Sequence, residues 1–209
     1  MKTNTPPIPS HVPQVKTVQT HIDRLLAQQK QVVVAIDGDC AAGKTTLSEL
    51  LKEAYTCPVI HMDHFFLQPQ QRTVQRLSTP GGNLDRERFI LEVIQPIQNK
   101  EAFSYRPFCC QTERFKPAIP IEEKAGLILI EGSYSHHPEW QESIDLKIFL
   151  AAPKDVQHAR ILKRNGAAML ERFKHEWIPL EKKYSAAFRI QENSDLQLDY
   201  LNLTPDDTP

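Results

Sequence analysis

Neither sign of charge dominates this chain: 25 Lys and Arg stand against 26 Asp and Glu, a formal net charge of -1 over 209 residues. Without a basic excess, nothing in the composition asks for nucleic acid or an anionic membrane as partner. No apolar stretch approaches the length needed to cross a bilayer. Met1 to Gln14 is proline-rich and polar and lacks the apolar core of a secretion signal. The four cysteines, Cys40, Cys57, Cys109 and Cys110, have neither paired metal-ligand spacing nor the density of a disulfide-held scaffold. A reducing, cytoplasmic setting is expected. There is no internal repeat, and the length suits one α/β domain. A homo-oligomer stays open on these grounds.

Residues 1–14 read as a disordered lead-in, because Pro6, Pro7, Pro9 and Pro13 block regular pairing. Residues 15–203 read as a single domain and 204–209 as a flexible tail. Val15, Val18, Ile22, Leu25 and Leu26 fall at helical intervals and predict a helix from Val15 to Gln29. Buried strands are predicted at Val32 to Ile36, Val59 to Met62, Leu127 to Ile130 and Leu146 to Leu150. Residues 67–85 read as irregular, with Pro80 to Asn83 a mobile loop. Asp85 is placed to cap a helix from Arg86 to Gln98 whose apolar face is Phe89, Ile90, Val93, Ile94 and Ile97. Phe103 to Tyr105 and Ala118 to Ile121 are candidate arms of a small hairpin. Helices are predicted over Asp155 to Lys163, Ala168 to Trp177 and Leu180 to Phe188. Alternating strands and helices predict a parallel sheet with helices on both faces, and ligands in such sheets collect at the carboxyl ends of the strands.

One such end carries Gly38-Asp39-Cys40-Ala41-Ala42-Gly43-Lys44-Thr45-Thr46, which fits G-x-x-x-x-G-K-[ST] between an apolar β-branched run and a helix-forming run. The glycines let backbone N–H groups curl around phosphate oxygens, and the helix N-terminus adds its positive dipole end. Lys44 reaches the β- and γ-phosphates, and the Thr45 hydroxyl can ligate Mg²⁺. The segment therefore predicts binding of a nucleoside triphosphate. For Cys40, the dipole end and Lys44 would lower the thiol pKa, whereas burial would cancel that and leave an inert loop residue.

The other strand ends bear on the reaction. Asp63 follows an apolar strand and precedes Phe65 and Phe66; a carboxylate there can accept a hydroxyl proton from an alcohol and help hold Mg²⁺. Its bland alternative is a turn or cap. Glu131 ends the strand before Gly132, where an acid can bind Mg²⁺ directly or through water. Arg160 and Arg164 share one face of a helix opening at Asp155 and could close over the phosphates, although a solvated basic face is the plainer reading. Arg172 and Arg189 are vaguer candidates. His136-His137 has no third ligand at metal spacing and reads as a loop pair. Trp140 and Trp177 read as packing residues.

Taken together, Ile36 to Thr46, Met62-Asp63-His64-Phe65-Phe66 and Leu129-Ile130-Glu131-Gly132 resemble the uridine kinase and phosphoribulokinase family. Asp155 to Arg164 looks like that family's lid, with Arg160, Lys163 and Arg164 on its Arg-Leu-x-Arg-Arg pattern. The resemblance implies a P-loop, nucleoside-kinase-like domain with a small hairpin and a helical lid, using ATP and Mg²⁺. It makes Asp63 the base for a nucleoside 5′-hydroxyl, has Phe66 line the acceptor pocket and Asp85 hold ribose hydroxyls, and sets Tyr105 near the base. Arg106 follows Tyr105 where the family has aspartate, and Cys109, Cys110 and Gln111 stand where it has a histidine downstream. The acceptor therefore ranges beyond uridine to nicotinamide riboside, pantothenate or a sugar phosphate. A nucleotide-dependent switch is the rival of another class, although neither Asn-Lys-x-Asp nor an Asp-x-x-Gly after the Leu127 strand is present.

Overall fold

The structure, a computed structural model, describes residues 13–122 and 126–200. The tail expected at 204–209 and most of the expected lead-in lie outside those residues. The described chain opens with α1 (Pro13–Leu26), β1 (Val32–Gly38), α2 (Lys44–Tyr55) and β2 (Val59–His61). A short helix α3 (Val74–Ser78) and a longer α4 over residues 86–99 come next. The strands β3 (Phe103–Tyr105), β4 (Phe108–Cys109), β5 (Arg114–Phe115) and β6 (Ile119–Ile121) form two nested antiparallel pairs, β3 with β6 and β4 with β5. The chain then runs through β7 (Leu127–Glu131), β8 (Leu146–Ala151), α5 (Lys154–Asn165), α6 over residues 167–188 and β9 (Leu196–Asp199).

Five parallel strands make the central sheet in the order β2-β7-β1-β8-β9. This is a P-loop NTPase-type α/β fold. Strand β1 lies in the middle and is buried along its whole length, as a β-branched run flanked on both sides must be. Its alternate residues serve two layers. Val32, Val34 and Ile36 pack with Val18, Ile22, Leu47 and Leu51 of α1 and α2. Val33 faces a second layer with Phe65, Phe89, Val93, Trp140 and Tyr184. A third, smaller cluster of Cys40, Ile161, Leu170 and Ile178 seats α5 and α6 on the phosphate loop. Burying each such side chain contributes roughly 1.5–3 kcal/mol, so the lid rests on the loop far more lightly than the sheet rests on its helices.

Several expectations are corrected. Helix α1 starts at Pro13, which suits a first helical turn, and stops at Leu26 rather than Gln29. Residues 67–85 are irregular only in part: a 3₁₀ turn (Pro69–Gln71) and α3 lie within them. Pro80 to Asn83 is a packed turn rather than a loose loop; Gly81 and Gly82 are buried, and a Cβ on Gly82 would lie 1.8 Å from the Arg76 carbonyl. Strand β9 was not anticipated. It is an edge strand, half-buried on alternate residues, and Asp195 pins it by accepting from the Lys147 amide at 2.7 Å.

The two helices expected around Pro179 are one continuous helix, α6. Proline lacks an N–H and its ring clashes with the carbonyl four residues back. Here a wide turn at Phe173–Trp177 absorbs that clash, with the Ile178 amide reaching back five residues to Phe173. Helix α4 does the same: a wide turn at Ile90–Ile94, a Gln95 amide bonded to Ile90, then Pro96.

Candidate active site

The parallel registers bring three strand ends together. Ile36 pairs with Glu131, and His61 pairs with Glu131 from the other side. The loop after β1, the 3₁₀ turn Met62–Phe65 after β2 and the end of β7 therefore surround one cleft of about 1350 Å³. Cys40 to Thr46, Asp63, Phe66, Glu131, Arg160 and Arg164 all line it.

The loop is held by its neighbours before any ligand is considered. Asp37 is buried and accepts from the Gly38 amide at 2.7 Å, the Tyr184 hydroxyl at 2.9 Å and the His136 amide at 3.1 Å. The Asp39 carboxylate accepts from the Ala152 amide at 2.9 Å. Gly38 has φ +137°, and a Cβ there would lie 2.2 Å from the Leu150 carbonyl oxygen, so only glycine lets β1 and β8 close at this point. Ala41 and Gly43 also have positive φ, at 58° and 103°. Gly38 and Asp39 stand behind the cleft wall, and their carbonyls accept from the Lys44 ammonium at 2.8 and 2.9 Å. Burial opposes the charge on Lys44, but Glu181, Asp37 and Glu131 outweigh it and its pKa is raised. Lys44 is a held cation.

Across the cleft floor the Thr45 hydroxyl lies 3.4 Å from both Glu131 carboxylate oxygens. Glu131 also meets His61 Nδ1 at 2.6 Å, which raises the imidazole pKa. Gly132 must follow Glu131, since its φ is +123° and a Cβ would press on Met62 at 3.0 Å. Asp63 is an exposed residue that opens onto the cleft, with its carboxylate partly taken out of water by the protein around it. That enclosure, then Glu131, holds its pKa above the ordinary carboxylate value, against Lys44, His61 and Arg164. The direction of that shift, toward a more basic carboxylate, is the one a proton acceptor needs.

Thr45, Asp63 and Glu131 offer a hydroxyl and two carboxylates, hard oxygen donors suited to Mg²⁺. No three His, Cys, Asp or Glu side chains cluster as a metal cage among the described residues. Mg²⁺ shared with phosphates and water needs no such cage, so the donor set fits.

The lid residues reach the same cleft differently. Arg160 donates to the Ala41 carbonyl at 3.0 Å and lies over the Tyr200 ring at 4.9 Å. Arg164 is exposed at the rim, bonded to Asn165 at 2.8 Å, and Lys163 does not line the cleft. Arg172 is paired to Glu176 at 2.9 Å and stacks over Trp177 at 4.9 Å. Trp177 lines the cleft, packed on Phe173 and Arg172, whereas Trp140 is wholly buried and donates to the Ser135 carbonyl.

Two expected substrate residues are placed elsewhere. Asp85 is buried as the cap of α4, accepting from the Arg88 amide at 3.2 Å and from Gln71 at 3.0 Å. Tyr105 is buried, stacked on Phe65 with centroids 5.4 Å apart, and neither Asp85 nor Tyr105 lines the cleft. His136 and His137 do lie in the loop after β7 but are buried, His136 against the Ala35 carbonyl and His137 stacked on Trp140. Cys40 is buried too, and burial first, then Glu181, pushes its thiol up to about 12. Burial supports the inert reading of Cys40.

The residue that sequence reasoning missed is Glu181. It sits on α6 with its carboxyl end enclosed between the cleft and a smaller cavity behind the loop, accepting from the Ser133 hydroxyl at 2.8 Å. Enclosure, only partly offset by Lys44 and Ser133, pushes its pKa up to about 7. The charged stretch Glu181-Lys182-Lys183 gave no sign of this.

No protein-family model and no curated protein sequence matches the chain. Solved structures do. One described as a possible uridine kinase from Bacillus stearothermophilus is 18% identical, with 88% of this chain and 100% of that one covered and a TM-score of 0.62. A candidate fructose transport system kinase from Silicibacter sp. TM1040 is 21% identical, with 88% and 97% covered and a TM-score of 0.65. The YGR205w protein is 14% identical, with 90% and 93% covered and a TM-score of 0.60. At these identities the likeness carries the fold: this chain has the P-loop α/β fold that these structures share. Among the described residues no helix is long and apolar enough to cross a membrane.

Proposed function

We propose that the protein is a kinase of small molecules, transferring the γ-phosphoryl group of ATP to an alcohol. The observation that carries this reading is the meeting of the phosphate loop, the Thr45–Glu131 pair and Asp63 around one cleft, at the ends of three neighbouring strands. Lys44 and the loop amides hold the phosphates, and Thr45, Glu131 and Asp63 would hold Mg²⁺, which supplies charge neutralisation on the phosphates when bound. Asp63 accepts the hydroxyl proton of the alcohol. Arg160 and Arg164 face the same cleft from α5 and balance charge as the group moves. The kinase descriptions of the similar solved structures agree with this reading, and a nucleoside 5′-hydroxyl is the acceptor the sequence resemblance favours. The four free cysteines suit a reducing compartment such as the cytoplasm.

The test is Mg²⁺-ATP with a panel of nucleosides, vitamins and sugar phosphates, read by mass spectrometry. Lys44→Ala should keep the fold by circular dichroism and lose more than about tenfold in kcat, a loss of over ~1.4 kcal/mol of transition-state stabilisation. Asp63→Asn should lower kcat by about 10² or more while changing Mg²⁺-ATP affinity less. Slow ATP hydrolysis indifferent to every acceptor would instead make the protein a nucleotide-dependent switch.

A further inference from the structure

The cleft has two walls with different charge. The loop, Arg160 and Arg164 form the one that would face the triphosphate. The opposite wall comes from the segment after β2 and from the β4–β5 hairpin with the residue that follows it, and includes Phe66, Leu67, Arg72, Cys110 and Lys116. Asp63 lies between them. The groups that would read a ribose on that far side are turned into the fold: the Asp85 carboxylate is occupied by Arg88 and Gln71, and Tyr105 is wholly buried. Two cations stand on the wall instead.

Arg72 is oriented for binding. Its Nε donates to the Leu67 carbonyl at 3.1 Å, which fixes the guanidinium plane, and the exposed side chain lines the cleft. Its carboxylate neighbour, Glu113, is loosely placed at 3.8 Å and 55% exposed. The Lys116 ammonium has no ion-pair partner among the described residues. The triphosphate does not need these two cations, because Lys44, Arg160 and Arg164 serve its wall, and Arg172 is committed to Glu176. A neutral alcohol would leave two positive charges facing it, whereas an oxyanion would engage the planar guanidinium bidentately.

We propose that the acceptor is an alcohol bearing an oxyanion, a carboxylate or a phosphate monoester, held by Arg72 and Lys116 on the wall opposite the phosphate loop. This rests on the kinase reading above and narrows its acceptor away from neutral nucleosides and from cationic nicotinamide riboside.

The experiment compares uridine, D-pantothenate and ribulose 5-phosphate as acceptors with the full chain and saturating Mg²⁺-ATP, alongside wider sets of neutral, carboxylated and phosphorylated alcohols. The expected result is a kcat/KM at least about tenfold higher for one anionic class than for any neutral alcohol, a difference of ~1.4 kcal/mol. The carboxylate and phosphate arms tell the two oxyanions apart. Arg72→Gln and Lys116→Gln should each raise KM for that acceptor about tenfold, with a smaller change in kcat and an unchanged dissociation constant for Mg²⁺-ATP. Preference for a neutral alcohol, or variants that leave the anionic acceptor's KM in place, overturns the proposal and leaves the kinase reading standing. Failure of every alcohol, with Lys44-dependent ATP binding intact, overturns the kinase reading and this inference with it.

Discussion

Glu181→Gln should make the protein more stable, and only above acidic pH. The folded pKa of about 7 stands against an ordinary 4.5, so the folded state binds more protons than the unfolded state between those values. Stability therefore falls as pH rises through that window and is lowest above about 7. At ~1.36 kcal/mol for each tenfold change in proton affinity, the ionised carboxylate costs about 3 kcal/mol as an upper limit. The side-chain amide that replaces the carboxyl can still accept from the Ser133 hydroxyl, and it does not titrate. The difference in stability, variant minus wild type, should thus be small near pH 4.5 and grow to about 3 kcal/mol by pH 8. For a chain of this length that is a rise in Tm of roughly 6–12 °C. Differential scanning calorimetry from pH 4.5 to 8.5 measures it, and His61 and His64 titrate in both proteins and so cancel from the difference. A difference that stays constant over this range refutes the enclosed-carboxylate reasoning, whatever its size.

Two further outcomes follow from the same geometry. Cys40 should resist a bulky alkylating reagent at pH 8, because burial keeps it protonated, while the exposed Cys110 reacts, as does Cys109, whose pKa Thr112 lowers. Peptide mass spectrometry showing Cys40 labelled first would refute this. Arg88→Ala should loosen the hairpin: Arg88 donates to the carbonyls of His64 and Arg106 and faces Asp85 and Glu92 at 3.5 Å, with only 10% of its side chain exposed. Stranding those acids should cost about 3–5 kcal/mol, roughly 6–20 °C in Tm, and a fall below about 2 °C would show the contacts to be idle.

What the sequence displayed were runs and motifs whose meaning is local. Strand β1 and the loop after it were legible because a buried parallel strand must be continuously apolar and a phosphate loop has a fixed spacing. Asp63 and Glu131 were legible as sites because each ends such a run, and strand ends converge in this topology. Strand β9 was not, since an edge strand with Gln197 and Asp199 on its open face carries little pattern. Cys40 shows the limit of local rules. Its place at a helix N-terminus argued for a thiolate, and burial decided otherwise. Asp85 was correctly seen as a cap, and that same role takes its carboxylate out of the cleft.

Glu181 was illegible for a deeper reason, which also yields a prediction. The cleft wall on α6 includes Met169, Phe173, Trp177 and Glu181, each four residues after the last, beside Arg172, Glu176 and Leu180. A regular helix turns about 100° per residue, so twelve residues would rotate Glu181 roughly 120° away from Met169. The wide turn at Phe173–Trp177 absorbs one extra residue, leaving about eleven to count, and brings the difference to about 20°. Pro179, which cannot donate to the His175 carbonyl, gives the helix its reason to widen there. The proline, the wide turn and the acid facing Lys44 thus form one device. Pro179→Ala restores the missing N–H and lets α6 run as a regular helix, swinging Glu181 out of the cleft. The variant should then lose the fall in stability between pH 4.5 and 8 that distinguishes wild type from Glu181→Gln. If Pro179→Ala keeps that pH dependence in full, the packing of Phe173 against the cluster of Cys40 and Ile161, rather than the proline, holds the wide turn in place.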